Sequence, residues 1–242
     1  MGRLVLSEDR PVLQAGQAKV LVLPPDRSCA SVARSTVSVL MGELGLPDGL
    51  IDDAVVAVSE LATNALLYGD GTDAELWVWL RTRHAPSLVL TVFDTGPGPL
   101  PHAVHGDLLD VHGKGLAIVA ALAETCGARL SRSRLRLVPA RGKAVWCAFP
   151  LPEGYAVSVP VLTPARVTRW MVLELCRRGL FASHAGDIGG RSVLLVDELR
   201  VEITRTELSW RNTNGTKGCH PLPDLQDALE AITKSLTTPE PP

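Results

Sequence analysis

Three short motifs occur in a fixed order and at roughly even spacing along this chain: Glu60-Leu61-Ala62-Thr63-Asn64, Asp94-Thr95-Gly96-Pro97-Gly98 and Gly113-Lys114-Gly115-Leu116. The first sits inside a helical pattern, the second ends a strand pattern and the third opens another helix. Each alone is weak, since a carboxylate and an amide four apart, or two glycines near an acid, often arise by chance. Their order and roughly even spacing make the combination a strong signal.

The elements between the motifs read clearly. Residues 18–23 alternate and stop at Pro24-Pro25, predicting a short strand. Val32, Thr36, Val39 and Leu40 recur at helical spacing over 26–44, and Gly45 ends that helix. A turn at Pro47-Asp48-Gly49 leads to a helix over 50–67, and Gly69-Asp70-Gly71 opens a hairpin over 74–81 and 87–93. The 97–112 stretch, with three prolines, two glycines and three histidines, predicts a long loop. A helix over 115–124 and strands over 128–138 and 143–149 complete the pattern, and Pro150, Pro152 and Gly154 mark a boundary. Beyond it, a helix over 164–180 capped by Thr163-Pro164, strands over 191–196 and 200–210 and a helix over 223–236 predict a small α+β module.

At 100° per residue, Ile51, Val55, Val58, Ala62 and Ala65 share one arc of the 50–67 helix, while Asp53, Ala57, Glu60 and Asn64 share the opposite one. Glu60 and Asn64 thus reach a common point outside the helix. An amide oxygen suits Mg²⁺, which keeps waters and phosphate oxygens around one or two protein groups. A carboxylate one turn away can take a proton from a hydroxyl. Asp94 can accept from an exocyclic amine, and Gly96 and Gly98 let the backbone pass close to a flat base. A glycine-rich helix start at Gly113-Lys114-Gly115 offers backbone N–H groups to phosphate oxygens.

The ordered set resembles the N, G1 and G2 boxes of the GHKL ATP-binding superfamily, over roughly residues 18–152, and within it the bacterial anti-sigma-factor serine kinases. The resemblance implies a Bergerat-type two-layer α/β sandwich with a mixed sheet over 1–152, followed by a small α+β domain over 153–242. It implies Glu60 as general base, Asn64 as the Mg²⁺ ligand, and ATP held by Asn64, Asp94, Gly96, Gly98, Gly113, Lys114, Gly115 and Leu116 under a lid at 97–112. It implies a sigma factor and an anti-anti-sigma antagonist as partners, the antagonist being phosphorylated on serine or threonine. A non-catalytic ATP-dependent regulatory module is the alternative. The chain departs from the family at Gly142-Lys143-Ala144, where a threonine is common near the phosphates, and at Tyr68, where a histidine commonly follows the first box.

Composition narrows the rest. A net charge of −2 gives no footprint for nucleic acid or membrane, and no apolar run approaches the ~20 residues a bilayer requires. The N-terminus has no export signal, and five cysteines at 29, 126, 147, 176 and 219 show no metal-ligand spacing, so a reducing cytoplasm is expected. His102, His105 and His112 lack a companion cysteine, so no metal cluster is expected there. Arg132, Arg134 and Arg136 alternate, predicting a charged, exposed strand face that resists edge pairing. For the C-terminal module three roles stand: ligand recognition, cover for the sigma-binding surface, or homodimerisation.

Overall fold

The computed structural model describes residues 13–83, 85–101, 114–211 and 217–237. Its first part comprises β1 (Ala18–Leu23), α1 (Cys29–Glu43), α2 (Asp48–Tyr68), β2 (Ala74–Arg81), β3 (Ser87–Asp94), α3 (Lys114–Leu122), β4 (Thr125–Arg132) and β5 (Arg141–Pro150). The strands form one sheet in the order β1-β2-β3-β5-β4. Alternation sends Leu76, Val78, Leu80, Leu88, Leu90, Cys147 and Phe149 to the face that α1, α2 and α3 cover. Trp77, Trp79, Val89, Phe93, Ala144 and Ala148 go to the other face. The α/β sandwich is as expected, but its sheet is antiparallel at every adjacent pair rather than mixed. The crossover from β3 through α3 lands on the edge strand β4, and the β4–β5 hairpin returns β5 to the slot beside β3. β4 therefore runs parallel to β3 without bonding to it.

The second part comprises α4 (Pro164–Arg177), β6 (Ala182–Ile188), β7 (Arg191–Val196), β8 (Leu199–Ile203), β9 (Glu207–Arg211), β10 (Lys217–Pro221), a 3-10 turn (Leu222–Asp224) and α5 (Leu225–Thr237). Its strands form an antiparallel meander, β10-β9-β8-β7-β6. Thr163 caps α4 as expected, accepting from the Arg166 N–H at 3.4 Å. The single strand expected over 200–210 is two strands. The Thr204 N–H bonds to the Glu207 carbonyl at 2.9 Å and turns the chain between them.

Both faces of the first sheet are covered, because α5 lies against the tryptophan-rich one. Its Leu225, Ala228, Leu229 and Ile232 pack into the core of the second part. Its polar side meets the first sheet: Asp227 accepts from Trp79 Nε1 at 3.2 Å and Arg81 Nη2 at 2.7 Å. Glu230 accepts from Ser131 Oγ at 2.8 Å and from Arg178 Nη2 at 2.6 Å. The arginine alternation is corrected here. β4 ends at Arg132, the Ser133 N–H bonds to the Ala140 carbonyl across a loop, and Arg132 and Arg134 are 9% and 7% exposed. They are buried because α5 and the end of α4 cover this edge, with Arg132 Nε donating to Thr237 Oγ1 at 3.2 Å. Just past Pro150 the chain still serves the first core: Leu151, Tyr155 and Val157 pack on it, and from Leu162 onward it joins the second.

Candidate ATP site

α2 brings Glu60 and Asn64 to the site. Its buried residues are Ala54, Ala57, Val58, Leu61, Ala62 and Ala65, so Ala57 lies inside rather than on the open arc. The stripe is broader than expected because α2 packs on α1 and α3 as well as on the sheet. Glu60 and Asn64, half-buried, flank that stripe. The start of α3 sits directly over them. A Cβ on Gly115 would stand 2.6 Å from Glu60 Oε2 and 3.6 Å from Asn64 Nδ2, so the first and third motifs meet here, and a side chain would fit only if the Glu60 carboxylate moved.

The second motif arrives from the end of β3. Asp94 is 5% exposed, and Gly96 folds the bend back against the end of α2, where a Cβ would strike the Tyr68 carbonyl and come within 2.8 Å of Gly69 Cα. Asp94 Oδ1 accepts from the Gly96 N–H at 2.9 Å and faces Lys143 Nζ at 3.5 Å. Burial pushes the Asp94 carboxyl above its ordinary value, and the Gly96 N–H and the Lys143 ammonium only partly oppose that.

A cavity of about 240 Å³ joins these parts, lined among others by Asn64, Tyr68, Asp94, Gly98, Leu116 and Lys143. Glu60 and Gly115 sit beside Asn64, and Gly96 stands behind Asp94. Lys114 is exposed at the start of α3 and does not line the cavity. Gly113, the three loop histidines and the rest of the expected lid beyond Pro101 lie outside the described residues.

Sequence reasoning missed Lys143 as a site residue. Asp94 and Lys143 are cross-strand partners, so the lysine faces the cavity while Ala144 points to the opposite, tryptophan-lined face. The lysine therefore faces this cavity, whereas the alanine, which is the departure from the family, does not. Period-2 counting back from Cys147 and Phe149 along β5 carries that signal.

Residues 23–139 match the histidine kinase-like ATPase domain family. This part of the chain is a histidine kinase-like ATPase domain. Nucleotide binding follows from that membership, and the cavity at Asn64, Asp94 and Leu116 is where this ATPase domain brings its motifs together. Among solved structures, the chain is similar to the RsbU and RsbW domains of Rv1364c from Mycobacterium tuberculosis, with 20% identity and a TM-score of 0.40. That likeness covers 60% of this chain and 34% of the other, so the chain spans about a third of that structure's length. No curated protein matches the chain. Among the described residues, no helix is long and apolar enough to cross a membrane.

Proposed function

We propose that this chain is an ATP-dependent protein serine/threonine kinase of the anti-sigma-factor type, cytoplasmic, holding a sigma factor and phosphorylating a small antagonist of that hold. The observation that carries the reading is the meeting of Glu60, Asn64 and Gly115 at one end of a cavity whose other end is Asp94. The cavity is smaller than the ~300–1,000 Å³ of typical whole-ligand sites. It suits a base and sugar, with the phosphates reaching out past Leu116 to the start of α3.

Each group has a task in that reading. Asp94 accepts from the adenine amine, and its raised pKa is the cost of keeping a carboxylate where water is scarce. The Asn64 amide oxygen holds Mg²⁺, and the ion, when bound, neutralises phosphate charge. The half-buried Glu60 carboxylate and Asn64 amide, with the buried Asp94 carboxylate, fit such an ion and nucleotide. Glu60 takes the proton of an acceptor hydroxyl. The Gly115 backbone approaches the phosphates from the N-terminal end of α3.

Transfer from γ-labelled ATP to a captured antagonist protein tests the reading, with Glu60→Gln alongside. The expected outcome is phosphoryl transfer by the unaltered chain and none by the variant, with ATP affinity equal in both. If the unaltered chain binds ATP and transfers nothing to any captured partner, the non-catalytic regulatory module is the better account. Asp94→Asn is expected to weaken ATP binding by about 1.5–3 kcal/mol in calorimetry, the range for a hydrogen bond to a charged group.

A further inference from the structure

A second concavity lies away from the ATP site. It is a groove of about 540 Å³ where β1, the loop after β4, the segment before α4, α4 itself and the start of α5 meet. Arg134 lines it. The Arg134 side chain is 3% exposed, Nη2 donates to Gln226 Oε1, and Glu174 stands 4.0 Å away. Its guanidinium carbon lies 5.3 Å from the centre of the Trp77 ring. Nε and Nη1 are buried and have no hydrogen-bond partner among the described residues. A guanidinium carries five N–H donors, and three of them belong to these two nitrogens. Leaving buried donors of a cation unmet is costly, so their natural complement is an anionic acceptor. Burial, with Arg178 adding repulsion, pushes the Arg134 guanidinium down to about 10, against the opposing pull of Glu230, Glu174 and Glu75.

The walls extend this chemistry. Arg166, Trp170, Glu174 and Arg177 recur along one face of α4 and line the groove, so three arginines face it against one glutamate. Arg166 and Arg177 are exposed at the rim, whereas Leu162, Val167 and Leu225 give an apolar wall. The volume falls within the ~300–1,000 Å³ range of small-molecule sites, which pair apolar walls with a few convergent polar groups. The planar fork of an arginine matches carboxylate or phosphate oxygens two at a time.

We propose that this groove binds a small amphipathic organic anion, with its carboxylate or phosphate head on Arg134 and its apolar body against Leu162, Val167 and Trp170. Because the groove is built from β1 and the β4–β5 loop on one side and from α4 and α5 on the other, such a ligand clamps the two parts of the chain together. The inference stands apart from the ATP site and survives if the kinase reading fails.

The test is calorimetry and thermal melting of the full chain with octanoate, octyl phosphate, octanol and inorganic phosphate. One of the two amphipathic anions is expected to bind saturably at one site per chain and to raise the melting temperature. The tighter of the two identifies the head group, and octanol and inorganic phosphate should bind at least about tenfold more weakly. Arg134→Gln should weaken the anion at least about tenfold. Since Arg134 also supports the fold, the exposed rim pair Arg166→Glu with Arg177→Glu serves as a second variant, and it should weaken binding several-fold without changing the melting temperature of the free protein. Saturable binding by neither anion, equal binding of octanol, or unchanged affinity in the rim variant overturns the proposal.

Discussion

At Gly115 a single methyl group separates two functions. The Cβ of Gly115→Ala would stand 2.6 Å from Glu60 Oε2, which forces movement, but the atom it meets is the free end of a flexible carboxylate. The fold should therefore tolerate the change while the carboxylate swings out of line. Phosphoryl transfer is expected to fall at least about tenfold, or ~1.4 kcal/mol in barrier, with ATP affinity and urea midpoint nearly unchanged. Asp94 offers a pH test. Its carboxyl is raised by burial and held back by the Gly96 N–H and by Lys143, and the adenine contact proposed for it needs its charged form. ATP affinity should drop as pH falls through that raised value, and Lys143→Met should move the drop to higher pH; calorimetry from about pH 5 to pH 8 reads both. Stability of the free protein runs the other way. The folded state binds the Asp94 proton more tightly than the unfolded chain, so this carboxyl's contribution falls as pH rises through the window above its ordinary value.

At the scale of elements, α5 is the least ordinary piece of the chain. Its apolar stripe joins one core while Gln226, Asp227, Glu230, Thr233 and Thr237 are buried along the rest of the helix. Burial alone would raise the Glu230 carboxyl, but the guanidiniums of Arg178, Arg129 and Arg134 together hold it well below the usual carboxylate range. The stabilisation this gives is complete above the ordinary glutamate value and is lost as pH falls below it. Glu230→Ala should cost about 3–5 kcal/mol in urea unfolding at neutral pH, because it leaves the fully buried Arg178 and the nearly buried Arg129 as unpaired cations. The same element shows what the sequence makes legible. β1, β2 and β7 fall at the positions the sequence pattern gives them, and the described parts of the three motifs lie around one cavity. β6 and β10 escape notice because Ala-Ser-His-Ala-Gly-Asp-Ile has a β-branched residue only at its last position, Lys-Gly-Cys-His-Pro has none, and neither alternates. The burial of Arg132 and Arg134 was unreadable for a different reason. Alternating arginines look solvent-facing until a distant helix supplies their partners, and Thr237 for Arg132 and Gln226 for Arg134 lie 105 and 92 residues downstream. Lys143 escaped because its partner, Asp94, comes from a different strand, and only the register of β3 on β5 pairs them.

At the scale of the whole molecule, the question is whether the ATP-binding part stands alone. The described lining of the candidate ATP cavity lies entirely before residue 152, and on that ground we propose a first domain over 1–152 and a second over 153–242. Two features pull against that cut. Leu151, Tyr155 and Val157 pack on the first core, and the Ala15 N–H bonds to the Ser158 carbonyl at 2.9 Å, so a fragment ending at 152 loses part of its own packing. The other face of its sheet also loses α5, which uncovers Trp77 and Trp79, both 0% exposed in the full chain. An uncovered patch of that kind invites association rather than unfolding. A fragment of residues 1–160 is therefore expected to keep ATP affinity within about tenfold of the full chain, ~1.4 kcal/mol, since nothing in the described cavity comes from beyond Lys143 and Val145. It should also self-associate in sedimentation and melt at a lower temperature than the full chain. Adding residues 161–242 as a separate polypeptide should reverse the association, because the Asp227–Arg81 and Glu230–Arg129 contacts reform on docking and bury the tryptophans again. A fragment that is folded but blind to ATP would show that α5, from across the sheet, sets the geometry of the nucleotide site. The two parts would then be one cooperative unit whose tryptophan-lined face is an internal layer rather than an interface.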